Sequence, residues 1–341
     1  MKVCVVSSSV FACPPPGYSG LEYIAWQVAR GMAELGHDTY LVAPEGSYCP
    51  NVSVIPSGPA GQWDERRSYE SYWKRLIGMD AVIDHSWMKW SYVLKQEGVL
   101  KAPVLGVLHA PVRSMYQNPP TVPKPCLVCI SEDQARDCED HLMHDCRVAY
   151  NGCDTEFYRS TGVKRTDRYL FLARFSTIKG PDIAIRVAKA AGVGLDLVGD
   201  TSITNEPALL EWCKANADGK QIRLIGGVSR AETVHWFSQA KALLHPNKLF
   251  KEPFGLAPVE AQLCGCPVIG WNRGAMRETV RDGETGYLVK SEEEMTRLVR
   301  EDAVSSLSRD GCREWAERFS VGAMVGRYEA LCKEAVETGG W

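Results

Sequence analysis

Lys2-Val-Cys-Val-Val-Ser7 leads through Pro14-Pro-Pro-Gly17-Tyr-Ser-Gly20 into Leu21, Ile24, Ala25, Val28, Ala29, Met32 and Leu35. A short apolar run, a glycine-bearing loop and a helical stripe at offsets of three and four, closed by Gly36, make one unit of a doubly wound sheet. Further apolar runs follow at Thr39 to Ala43, Ala81 to Ile83, Val104 to Leu108 and Leu127 to Ile130. The pattern restarts at Tyr169 to Ala173, with a helix from Pro181 to Ala191 and runs at Leu195 to Val198, Ile222 to Ile225, Ala242 to His245 and Pro267 to Ile269. Short buried strands alternating with amphipathic helices predict parallel sheets covered on both faces. The expected class is α/β, with two doubly wound, Rossmann-like domains facing across a cleft. Their expected spans are residues 1–162 and 163–315, joined in the polar stretch from Tyr158 to Asp167. Arg313 to Val336 reads as helical, and residues 316–341 are expected to cross back to the first domain.

The chain's 341 residues are too many for one compact core and suit two domains. With 45% hydrophobic and 24% charged residues, it is neither disordered, collagenous nor a coiled coil. Lys plus Arg number 39 against 42 Asp plus Glu, which argues against a basic domain built to blanket nucleic acid. The 13 cysteines are odd in number and show no dense disulfide spacing, so a reducing cytoplasm is expected. Met1 to Cys13 loosely resembles a lipoprotein signal with Cys13 lipidated. Only Lys2 supplies positive charge, however, and Ser7, Ser8 and Ser9 interrupt the apolar run, so a buried first strand is preferred. No transmembrane segment is expected, because no stretch reaches about 18 apolar residues.

In such sheets ligands collect at the carboxyl ends of strands, where loops enter helix N-termini. Gly17 and Gly20 let backbone approach a ligand there, although alone they equally mark a turn. In Phe250-Lys-Glu252-Pro-Phe-Gly255-Leu-Ala-Pro-Val-Glu260, a helix begins near Gly255. The amides of Phe254, Gly255 and Leu256 are placed for a phosphate or sugar hydroxyl, and Glu260 for a second part of the same ligand. Standing alone, such a pair of glutamates is more often a cap or salt bridge and a solvated side chain. Arg174 and Lys179 precede the helix started by Pro181, and a fork with a point charge fits a diphosphate.

Together these residues resemble the family 4 glycosyltransferases, retaining group 1 enzymes of the B-type, two-Rossmann fold. The likeness spans Pro14 to Glu22, Val107-Leu-His109, Ile130-Ser-Glu132, Tyr150-Asn-Gly-Cys-Asp154, Ala173 to Gly180, Glu252 to Glu260 and Asp282 to Val289. It implies a hexose moved from a nucleoside-diphosphate sugar to an acceptor hydroxyl. Arg174 and Lys179 would neutralise the leaving diphosphate, and Glu260 would accept the ribose hydroxyls. Glu252 and the amides of Phe254 to Leu256 would hold the donor sugar, Gly17 and Gly20 would approach the phosphates, and His109 would serve the reacting centre from the first domain. Catalytic roles are thus implied for His109, Arg174, Lys179 and Glu252. Retention would follow from same-face attack, the donor phosphate taking the acceptor proton. Ser19 and Ala173 stand where glycine is frequent in the family, which touches the loop path more than the activity. No Asp-x-Asp occurs in the chain, so no metal or other cofactor is expected beyond the nucleotide sugar.

The acceptor stays open: saccharide, lipid-linked glycan, small metabolite, protein or modified nucleobase. His85 and Trp87, in Asp84-His-Ser-Trp-Met-Lys-Trp90 at a strand's carboxyl end, are acceptor-side candidates, with a structural histidine the competing reading. The Arg66 to Ile77 stripe reads first as core, then as acceptor wall, then as peripheral membrane contact. Cys126, Cys129, Cys138, His141, His144 and Cys146 invite zinc. Cys126 and Cys129, three apart on a strand, face opposite ways and cannot share one ion, so zinc is set aside. Within the same fold a nucleotide-sugar epimerase is the nearest rival, and a catalytically silent nucleotide-sugar-binding protein is the rival of another class. A dehydrogenase is disfavoured because no Gly-x-Gly-x-x-Gly follows a strand.

Overall fold

The computed structural model describes residues 1–17, 19–116, 121–122, 124–201 and 206–341, so Tyr18 of the first loop motif lies outside the described residues. The chain forms two compact units, one of Met1–Gly152 with Val321–Trp341 and one of Cys153–Ser320. The division falls upstream of the polar stretch Tyr158 to Asp167. Tyr158 is fully buried and sits edge-on to Phe157 and tilted against Phe237, which anchors the start of the second unit.

In the first unit, β1 (Lys2–Val6), β2 (Asp38–Ala43), β3 (Ser53–Pro56), β4 (Ala81–Asp84), β5 (Val104–Val107), β6 (Leu127–Cys129) and β7 (Arg147–Val148) form one sheet in the order β3-β2-β1-β4-β5-β6-β7. In the second, β8 (Tyr169–Leu172), β9 (Leu195–Val198), β10 (Ile222–Gly226), β11 (Leu243–His245), β12 (Val268–Trp271) and β13 (Gly286–Val289) run in the order β10-β9-β8-β11-β12-β13. Every pairing is parallel. Each sheet therefore has the doubly wound order, with its reversal at β1/β4 or at β8/β11. The expected strands are present, while β3, β7 and β13 are additions. All three lie at sheet edges, where one flank faces solvent and the apolar run that marks a central strand is shorter.

The expected single helix from Arg313 to Val336 is instead broken. A helix over Arg309–Ala316 passes through a short 3₁₀ turn at Glu317–Phe319, and Ser320 is extended (ψ 157°) before a second helix over Val321–Thr338. The break is where the chain leaves the second unit, and the Cys153 amide donates to the Phe319 carbonyl there at 2.8 Å. The last helix buries Met324, Val325, Tyr328, Leu331, Cys332 and Ala335. It lies so close to the helix Gly20–Glu34 that a Cβ on Gly31 would come within 2.4 Å of Val325.

The Arg66 to Ile77 stripe is core in its middle, while Ile77 is 50% exposed. Tyr72 and Leu76 are buried among Cys4, Val82 and Val104, while Arg66 lies over the Trp90 ring on the outside. All 13 cysteines are free and buried. Cys126 precedes β6 and stays apart, whereas Cys129 meets Cys138 and Cys146. Among the described residues no helix is long and apolar enough to cross a membrane.

Candidate active site

Where strand order reverses, the loops leaving the two neighbouring strands diverge and open a crevice at their carboxyl ends. At β8/β11 those loops are Ala173 to Gly180 and Pro246 to Gly255, and they carry most of the residues singled out in the second unit. Lys179 Nζ lies 2.5 Å from Glu252 Oε2, both side chains being 13% exposed. Asn247 Nδ2 donates to the same oxygen at 3.1 Å, His245 Nε2 stands 3.7 Å away, and Lys179 lies over the Phe250 ring. Burial alone would raise the Glu252 carboxyl, but the Lys179 charge and His245 outweigh it and hold it well below the usual carboxylate range. His245 is pushed down by burial, and its Nε2 makes no hydrogen bond.

Backbone packing sets this pair. Gly180 is left-handed (φ +71°), and a Cβ there would sit 2.5 Å from the Pro246 carbonyl, so only glycine lets the two loops touch. The Glu252 carbonyl accepts from the Ala275 amide at 3.0 Å, which pins the loop carrying the carboxylate. Gly255 (φ +85°) then opens the helix Leu256–Leu263, whose first amides have no side-chain cap. Phe254 is buried edge-on to Phe319, so this residue offers its backbone. Glu260 is buried and lies 3.4 Å from Arg230 Nη1, which also donates to Tyr158 Oη at 2.8 Å. Arg174 is half-buried and makes no ion pair among the described residues.

At the reversal of the first sheet, β1/β4, the loop after β1 carries Gly17, and Gly20 begins the helix Gly20–Glu34. Glu22, in that helix's first turn, is buried and accepts from Ser8 and Ser19. After β4, Asp84 accepts from the Ser86 amide and from the hydroxyls of Ser86 and Ser91. Lys89 is buried with its ammonium on the Ser86 carbonyl, and burial lowers its pKa. His85 Nδ1 and His109 Nε2 are 2.8 Å apart, so one ring donates and the other accepts. Burial pushes His109 down to about 3, assisted by Lys89, and holds His85 well below its ordinary value. His85 is wholly buried, with Nε2 unpartnered among the described residues and Tyr328 against its ring. Trp87 is 42% exposed, its amide held by Glu65.

The structure thus joins Lys179 to Glu252 and His85 to His109, and it ties Glu260 to Arg230. His245, Asn247 and Arg230 are the partners that sequence reading missed. His245-Pro-Asn247 stands at the carboxyl end of a recognised strand, and that position was the available signal.

Residues 155–318 match the family of glycosyl transferases group 1. That match spans nearly the whole second unit and relates it to the group 1 glycosyltransferases. Over 89% of its length the chain is 25% identical to the D-inositol 3-phosphate glycosyltransferase of Nocardiopsis dassonvillei, covering 87% of that protein. A D-inositol 3-phosphate glycosyltransferase of Catenulispora acidiphila is 30% identical over 50% of this chain and 44% of its own. Among solved structures, sucrose-phosphate synthase from Thermosynechococcus elongatus superposes with a TM-score of 0.81 at 16% identity, covering 99% of this chain and 100% of its own. HepE of Anabaena in complex with UDP and glucose superposes with a TM-score of 0.76 at 17% identity, over 98% and 99% of the two chains. These likenesses bear out the glycosyltransferase fold of two Rossmann-like units.

Proposed function

We propose that this glycosyltransferase moves a hexose from a nucleoside-diphosphate sugar to an acceptor hydroxyl with retention and without a metal ion, in the manner of family 4. The carrying observation is the buried Lys179–Glu252 pair at β8/β11, at the mouth of a glycine-started helix, with Arg174, which makes no ion pair among the described residues, in the same loop as Lys179. Charge develops on the departing diphosphate as the glycosidic bond breaks, and preorganised cations lower that barrier most. Arg174 and Lys179 take that role, while Glu252 and the amides of Phe254 to Leu256 hold the donor sugar. Glu260, oriented by Arg230, accepts ribose hydroxyls, and Gly17 and Gly20 bring backbone to the phosphates. His109, with His85 behind it, serves the reacting centre, and Trp87 stands on the acceptor side.

The test is incubation with a panel of nucleotide sugars and candidate acceptors, with and without EDTA, following nucleoside diphosphate and the anomeric signals of the product by NMR. Turnover in EDTA with a retained anomer is expected. Full loss in EDTA restored by manganese, or an inverted product, overturns the mechanism. Release of an epimer, or binding without turnover, overturns the transferase reading in favour of an epimerase or a silent binding protein.

A further inference from the structure

Three cysteines of the first unit have no part in sugar transfer, yet the fold gathers them. Cys129 ends β6 and Cys138 lies in the helix Glu132–Leu142. That helix stops at Met143 in a left-handed conformation (φ 54°), and the chain doubles back to place Cys146 just ahead of β7. The three Sγ atoms lie within 4.8 Å of one another, all from buried residues. Cys146 Sγ donates to the Ala135 carbonyl at 3.8 Å, and the three sit in surroundings made by Leu108, Leu127, Ala135 and Leu142. Two buried tyrosine hydroxyls, Tyr116 and Tyr328, have no hydrogen-bond partner among the described residues, and Tyr116 packs against the same apolar cluster.

Zinc-sulfur bonds of about 2.3 Å in tetrahedral geometry require sulfurs about 3.8 Å apart, a spacing these thiols reach with small side-chain adjustments. We propose that Cys129, Cys138 and Cys146 bind one thiophilic d¹⁰ cation, Zn²⁺ in preference to Cu⁺. On binding, each thiol releases its proton to solvent and its sulfur lone pair forms the metal bond. Three thiolates around Zn²⁺ leave one negative charge in the pocket, and around Cu⁺ they leave two, which apolar surroundings penalise more. The unpartnered hydroxyls of Tyr116 and Tyr328 are the donors available to that residual charge. Cys146 is 8% exposed against 0% for Cys129 and Cys138, so the ion and a fourth, solvent ligand enter on its side. Bound there, the ion ties β6, the following helix and the β7 edge together.

The test uses the full chain, reduced and stripped by chelator, then titrated with Zn²⁺ against a chromogenic zinc chelator and, anaerobically, with Cu⁺ against a Cu⁺ chelator. One equivalent of Zn²⁺ is expected, with a raised melting temperature and protection of Cys138 and Cys146 from alkylation by mass mapping. Cys138→Ser and Cys146→Ser should each weaken Zn²⁺ binding by about a hundredfold or more while their metal-free circular dichroism stays that of the parent. Cys146→Ser is the safer variant because its residue lies in a loop. Equal Zn²⁺ affinity in parent and variants, unchanged alkylation of Cys138, a Cys138–Cys146 disulfide in the untreated protein, or tight Cu⁺ without Zn²⁺ binding would each overturn the proposal.

Discussion

Arg174 and Lys179 carry the same charge at the same crevice, but they differ in what they leave behind when removed. Lys179→Ala strands a buried Glu252 carboxylate, a loss of order 3 to 5 kcal/mol for a broken buried pair. Arg174→Ala strands nothing. Both variants should lower turnover by about a hundredfold or more, as expected for a lost charge donor. Only Lys179→Ala should also lower the melting temperature by several degrees. Steady-state rates beside calorimetry separate the two, and unchanged turnover in either would remove that residue from the leaving-group role. The histidines set a pH dependence. His109 titrates at 6.5 when unfolded and near 3 when folded, and His85 is lowered too, so between those values the unfolded chain binds more protons. Stability is therefore intact above pH 6.5 and falls as the pH drops, by about 1.4 kcal/mol per pH unit for each proton. His109→Gln should flatten urea-derived stability against pH by about one proton in that window. The Glu252 contribution, from a depressed carboxylate, is complete above its ordinary 4.5 and declines progressively as the pH falls below that value. The motif carboxylates and cations were readable from the chain because they sit in short runs around glycine and proline. Their pairing was not: Lys179 meets Glu252, which His245 and Asn247 also approach, across a strand reversal, and local spacing says nothing about which loops meet there.

Strands and loops answer to different constraints. β1, β4, β8 and β11 were plain in the sequence because central strands are apolar on both faces, whereas β3 and β7 are short edges with half-exposed residues. The glycines divide similarly. Gly180 is required by the fold itself, so Gly180→Ala should lower both melting temperature and activity by parting its loop from Pro246. At Gly17 the backbone is not left-handed and an added Cβ would meet nothing within 4 Å, so the fold alone has no need of glycine there. Gly17→Ala should leave the melting temperature within a degree or two and lower kcat/KM for the donor by about tenfold, through a methyl set against the phosphates. Unchanged kinetics would show that the loop after β1 keeps clear of the donor.

The second unit is an insertion, since the first is assembled from residues on either side of it. Removing residues 321–341 should uncover the faces packed on Tyr328, Leu331 and Cys332 and unfold the first unit, while Cys153–Ser320 keeps its sheet. Hydrogen exchange read by mass spectrometry would show the loss confined to Met1–Gly152, and protection there equal to the full chain's would refute the dependence. The interlacing also reverses the order of maturation on the ribosome. Domains generally fold as they emerge, earliest first. Here the earliest segment must wait, holding apolar surface uncovered until the inserted unit has been made and the closing helix has cleared the exit tunnel. Chaperones should therefore engage nascent chains at residues 1–152 long after those residues have appeared, and a stop codon just ahead of residue 321 should leave the first unit as incomplete as one within residues 1–152.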